Sequence, residues 1–124
     1  MTSILLLPSF GIIGILSRFG IDRLLESSNS GFPISTFAIN FVGSFLAGVI
    51  FNLGDRQMMS SEIQLALLVG FCGGFTTFSA FSLQTYSMLD RGQYLLGVSY
   101  FLLSPVFGLL GAGLGILLVR KLIL

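Results

Sequence analysis

Residues 70–82 interrupt a long apolar run with a pattern that a regular helix does not favour. The stretch reads Gly-Phe-Cys-Gly-Gly-Phe-Thr-Thr-Phe-Ser-Ala-Phe-Ser, so two adjacent glycines are followed by two threonines. A glycine inside a helix costs about 1 kcal/mol relative to alanine, and in return it reaches backbone angles that other residues avoid. We therefore predict a helix that breaks near residues 73–77, with freed peptide groups available to bind a ligand.

The composition indicates the environment in which this break occurs. Of the 124 residues, 54% are hydrophobic and 9% are charged. A bilayer core about 30 Å thick requires about 20 helical residues. Four apolar segments satisfy that requirement: 4–25, 34–53, 62–88 and 94–119. The third would measure about 40 Å as one straight helix, so a break also resolves its excess length. We predict an all-α membrane protein with a single transmembrane domain, residues 1–124, and four transmembrane helices, the third broken mid-membrane.

The net charge and the scarcity of histidine and cysteine argue against several function classes. The net charge is +1, and the chain has no histidine and one cysteine. These features argue against a nucleic-acid partner, against an enzyme and against a zinc cluster. A small four-helix proton-coupled exporter of the multidrug type remains as the alternative. Such an exporter needs a carboxylate within the membrane, whereas Asp22 and Glu26 lie at the end of the first span.

The distribution of basic residues favours two inverted copies. Four spans put both termini on one side, with Arg56, Arg120 and Lys121 on that side and Arg23 and Arg91 on the other. This bias is too weak to set one orientation. A chain without a preferred orientation can insert both ways, so two opposed copies can form an antiparallel dimer. Because four thin helices also leave little room for a pore within one subunit, we predict a dimer or a larger assembly.

Small residues four apart predict close helix packing in the second and fourth spans. The second span has Gly43 with Ala47 and Ser44 with Gly48, and the fourth has Gly111 with Gly115. This spacing lets membrane helices approach closely.

Neutral polar side chains and two phenylalanines predict the lining of an ion path. The polar candidates are Thr36, Asn40, Thr77, Ser82, Tyr100 and Ser104. Phe78 and Phe81 lie on one face of the restarted helix, and an aromatic ring has a positive edge. Neutral donors and ring edges suit a small anion that must enter and still leave. The alternatives are packing for the phenylalanines and an interhelical hydrogen bond for Asn40.

Two further features leave alternatives open. Arg18 precedes Asp22 by one helical turn, so it forms either an interfacial ion pair or the mouth of an anion path. Carbonyls freed around residues 73–76 suit a hard cation with oxygen ligands, whereas a tight glycine crossing would hold no ion.

The run 70–82 resembles the signature of the CrcB/Fluc family of fluoride channels, usually written GxxGGxTTFSTF. Asn40 followed by Gly43 and Ser44, Arg18 in the first helix and four spans in a chain of this length agree with that family. The resemblance implies a dual-topology homodimer in the cytoplasmic (inner) membrane. Two antiparallel pores would let fluoride leave the cell passively.

The resemblance also implies roles for individual residues. A structural sodium ion would lie at the dimer centre, held by main-chain oxygens of Gly73 and Thr76. The pores would be lined by side chains of the second, third and fourth helices, namely Asn40, Phe78, Phe81, Tyr100 and Ser104. Thr36 would supply a vestibule hydroxyl.

Three positions depart from the family pattern. Ala80 replaces a threonine of the signature, and Gln84 stands where many relatives carry a glutamate. Gly108 supplies no hydroxyl where the polar track of the fourth helix would continue.

Overall fold

The computed structural model describes residues 2–25 and 31–123, and most of these residues are helical; Glu26 lies outside the described residues. The first helix is Thr2–Leu25, the second is Ile34–Asp55 and the fourth is Tyr94–Ile123. The third span, Ser61–Asp90, is divided in two. All four segments are long and apolar enough to cross a membrane, which confirms the predicted all-α fold with four spans.

Large apolar side chains cover the outer surface of this bundle. Ile4, Leu24, Leu95 and Leu109 are each at least 75% exposed. Soluble monomers rarely leave extended apolar surface in water. The surface is therefore suited to lipid, and the chain is a multi-pass membrane protein.

The third span breaks at two threonines. Its first half consists of an α-helix Ser61–Leu65, a π-helical stretch Ala66–Cys72 and a last α-helical turn Gly73–Phe75. Its second half is the helix Phe78–Asp90. Between them, Thr76 (φ −80°, ψ 160°) and Thr77 (φ −148°, ψ 116°) are extended. The break predicted within residues 73–77 is thereby confirmed.

The prediction that the paired glycines adopt unusual backbone angles is wrong. Gly73 has helical angles (φ −63°, ψ −37°), and Gly74 lies in the same helical turn. Gly74 instead serves close packing, because a Cβ on it would lie 2.6 Å from the carbonyl oxygen of Gly11. The extended backbone belongs to the β-branched threonines, which fit extended conformations well.

Glycines also join the first helix to the first half of the third span. A Cβ on Gly70 would lie 2.6 Å from the carbonyl oxygen of Leu7, and a Cβ on Gly14 would overlap the carbonyl oxygen of Phe71. The two backbones therefore touch directly, and this contact fixes the position of the break relative to the first helix.

The second and fourth helices run parallel in close contact. A Cβ on Gly111 would lie 2.9 Å from the carbonyl oxygen of Phe41, and one on Gly115 would overlap that of Phe45. Because both partners advance by four residues in the same direction, the two helices share direction and register. The predicted close packing at Gly111 and Gly115 is confirmed.

Replacing Gly115 with alanine should destabilise the protein by about 1–3 kcal/mol, because the new methyl group overlaps a backbone oxygen that cannot move aside. The matched control is Gly113→Ala on the same helix, where a Cβ would have no atom within 4 Å among the described residues outside its own turn of helix. The control should leave stability unchanged or raise it slightly, since alanine favours helix. Thermal unfolding of both variants in detergent is the measurement, and equal melting temperatures would contradict this packing.

Candidate functional site

Asn40 bonds both backbone groups of Thr77 at the break. Its Nδ2 donates to the carbonyl oxygen of Thr77 at 3.2 Å, and its Oδ1 accepts from the Thr77 amide at 2.9 Å. At bilayer depth, backbone groups without such partners cost several kcal/mol each. The second helix therefore holds the break open through one side chain, so the interhelical hydrogen bond considered for Asn40 is present.

At the break, two carbonyl groups lack the amide hydrogen bonds that a continuous helix would give them. In a continued α-helix, the amide of Thr77 would donate to the oxygen of Gly73, and that of Ala80 to the oxygen of Thr76. Instead, the Thr77 amide donates to Asn40, and the Ala80 amide donates to the Thr77 hydroxyl at 3.2 Å. The two carbonyls that lose these donors are those to which the family resemblance assigns sodium.

Polar residues repeat every four residues on the second helix, and they face positions of matching register on the fourth helix, the first two of which are also polar. We call this arrangement the polar column. Its three tiers are Thr36 with Tyr100, Asn40 with Ser104, and Ser44 with Gly108. Four helical residues rise about 6 Å, so the column covers about 12 Å of membrane depth.

Gln84 connects the two members of the first tier. Its Nε2 donates to the Thr36 hydroxyl at 2.8 Å, and its Oε1 accepts from the Tyr100 hydroxyl at 2.8 Å. Thr36 and Tyr100 are both buried. In the sequence, Gln84 stands out only as a departure from the family pattern. The missed signal was an amide in an apolar helix, one turn after Phe81.

A cavity of about 390 Å³ opens at the second and third tiers. Its walls combine the break with the polar column: Asn40, Ser44, Thr76, Thr77, Phe78, Phe81, Ser104, Pro105 and Gly108. Within the described part of the chain, the buried Oγ of Ser104 has no hydrogen-bond partner. An unsatisfied buried hydroxyl costs about 1–3 kcal/mol, so a ligand that accepts this hydrogen bond would be favoured. Thr36 and Tyr100 lie outside this lining.

The two phenylalanines stand between this cavity and a second one. Their ring centroids are 5.7 Å apart. Phe81 is buried against Tyr100, with centroids 5.2 Å apart, whereas Phe78 is 79% exposed. Both rings also line a second cavity of about 350 Å³, which contains Ser82. Ser82 is thus separated from the break, and its hydroxyl donates to the carbonyl of Phe78 at 3.0 Å.

Arg18 and Asp22 do not form the ion pair considered from the sequence. Asp22 accepts a hydrogen bond from the hydroxyl of Ser35 on the second helix. Among residues 2–25 and 31–123, no ion pair involves Arg18, and Arg18 lines neither of the two cavities described above. Its place at the mouth of an ion path stays a prediction.

Comparison with known proteins identifies the family. The sequence model described as "CrcB-like protein, Camphor Resistance (CrcB)" matches residues 5–116. The chain is 38% identical to the "Fluoride-specific ion channel FluC" of Geobacter sulfurreducens, over 98% of this chain and 100% of that protein. It is 36% identical to the protein of that name from Gloeothece citriformis, over 98% and 99% of the two chains. For Ruminiclostridium cellulolyticum the identity is 39%, over 97% and 94%.

These relatives bear the name of a channel, and this sets aside both an enzyme and the multidrug-type exporter. The family match covers most of the chain, including the break, the polar column and both phenylalanines. The chain belongs to the CrcB family.

Proposed function

We propose that this chain forms a fluoride-selective channel that lets fluoride leave the cell passively across the cytoplasmic (inner) membrane. The observation that carries the proposal is the cavity in which the Ser104 hydroxyl, which has no partner among the described residues, and the Asn40 amide meet Phe78 and Phe81. All of these groups are neutral, so an anion gains hydrogen bonds and ring edges without a full counter-charge that would trap it. Relatives over nearly the whole length are named fluoride-specific ion channels.

Passive movement is sufficient for export. Hydrogen fluoride enters as a neutral molecule, ionises at cytoplasmic pH and is then retained as the anion. A membrane potential that is negative inside drives an anion outward with about 2.3 kcal/mol per 100 mV. No coupling to protons is needed, so the site requires no titratable carboxylate beside the break.

The functional unit in this proposal is the antiparallel dimer with two pores. Phe78 is 79% exposed although it borders the cavity, and Gly73 faces outward at the break. The first helix is the least buried of the four spans. A second, inverted copy would cover these surfaces and complete the wall of each pore. Arg18 would then supply positive charge at the vestibule.

A sodium ion at the dimer centre fits the residues that are present. The carbonyl oxygens of Gly73 and Thr76 have lost their helical donors to Asn40 and Thr77, and hard cations prefer oxygen ligands. Two copies would supply these oxygens in pairs. The positive charge of the ion would offset the repulsion between the facing carbonyl oxygens and hold the broken helices of the two copies together.

A growth assay tests the proposed export in cells. Bacteria without a fluoride channel of their own should grow, when they express this chain, at fluoride concentrations that arrest cells with an empty vector. The protection should be most evident in acidic medium, where more neutral hydrogen fluoride enters. Equal arrest of both strains, with the protein present in the membrane, would contradict the proposal.

A further inference from the structure

Ser44 has a hydroxyl group that its own helix does not use. A serine within a helix commonly donates to the carbonyl group four residues earlier. Ser9 and Ser82 do so here, at 2.8 Å and 3.0 Å. Ser44, by contrast, makes no hydrogen bond with any residue in the described ranges, although it lies on the wall of the cavity at the break.

In the third tier of the polar column, the Ser44 hydroxyl lies beside Gly108 of the fourth helix. A Cβ built on Gly108 would lie 3.5 Å from the Oγ of Ser44. Because residue 108 is glycine, the fourth helix has no polar side chain one turn beyond Ser104. The Ser44 hydroxyl of the second helix lies next to the position that a side chain at residue 108 would occupy. Both serines line one cavity, and neither hydroxyl has a hydrogen-bond partner among residues 2–25 and 31–123.

We propose that Ser44 donates a hydrogen bond to fluoride in the third tier. It thereby supplies from the second helix the donor that Gly108 of the fourth helix lacks. The inference rests on the proposed fluoride channel. A small anion keeps its water unless donors replace it, so a continuous path needs a donor in every tier. Ser104 supplies one in the second tier, and Ser44 supplies the next, about 6 Å further along the column.

The test measures fluoride efflux from liposomes that contain the full-length protein, with a fluoride electrode. We expect Ser44→Ala to lower the efflux rate about tenfold, the loss associated with one hydrogen bond to an ion. We expect the double variant Ser44→Ala/Gly108→Ser to recover most of that rate, because the new hydroxyl enters the same place from the opposite helix. Ser9→Ala is the matched control, since the Ser9 hydroxyl donates to the Leu5 carbonyl of its own helix, and it should retain the wild-type rate.

The outcomes separate this inference from the proposed function. No fluoride efflux from the wild-type protein would overturn both. Wild-type efflux with an equal rate for Ser44→Ala would overturn only the role of Ser44. A lower rate that Gly108→Ser fails to restore, in a double variant that elutes like the wild type on size exclusion, would also overturn it.

Discussion

Replacing Asn40 with aspartate should reduce fluoride efflux to the rate of protein-free liposomes. The Asn40 Nδ2 now donates to the carbonyl oxygen of Thr77 at 3.2 Å; in the variant, two acceptors would face each other there. The carboxylate would also place a negative charge on the wall of the anion cavity. Two like charges 4 Å apart repel by about 4 kcal/mol at an effective dielectric constant of 20, which corresponds to a rate lower by about 1,000-fold.

Asn52→Asp provides the matched control for this experiment. Asn52 is also buried on the second helix, but its Oδ1 accepts from the Nε of Arg56 at 3.1 Å. An aspartate at residue 52 keeps the oxygen that accepts from Arg56, and its negative charge is opposite to that of the Arg56 guanidinium. The efflux rate should therefore stay close to that of the wild type. Unchanged efflux from Asn40→Asp would show that Asn40 is only an interhelical contact and would remove it from the proposed pore.

Exhaustive removal of sodium should abolish most of the efflux from the wild-type protein. The Gly73 and Thr76 carbonyl oxygens lack the amide donors that a continuous helix would provide. Without a cation, the proposed dimer centre would bring these oxygens together with no positive charge between them. The break would then lose the geometry on which the adjacent Asn40–Thr77 contact depends.

The measurement compares efflux from liposomes prepared in sodium salts with efflux from liposomes prepared in salts of a large organic cation. Adding sodium back to the second sample should restore the rate, which distinguishes loss of the ion from loss of the protein. Full activity in the sodium-free sample, with residual sodium verified by emission spectroscopy, would argue against the structural ion.

The elements that sequence could predict are those set by local pattern and by the bilayer. The four spans follow from apolar length, and the break follows from an excess of length that coincides with glycines and threonines. The close contact at Gly111 and Gly115 follows from spacing alone. Asn40 stands out because an amide near the middle of an apolar span needs a hydrogen-bond partner.

The elements that sequence missed depend on which helices meet. The pair Gly73 and Gly74 predicts a backbone break, but residue 74 is glycine because a Cβ there would be too close to the carbonyl oxygen of Gly11, more than sixty residues earlier. The position of Gln84 between two hydroxyl groups follows only from the register of three helices. Ser44 acquires its significance only when Gly108 is known to face it. In each case the partner is distant in the chain, so no local pattern could identify it.

The most direct test of the account is fluoride efflux from liposomes with equal pH on both sides, driven only by a potassium diffusion potential. We predict that fluoride leaves rapidly and that chloride, measured in parallel, stays inside. Efflux that requires a pH gradient, or chloride efflux as fast as that of fluoride, would contradict a passive fluoride-selective channel.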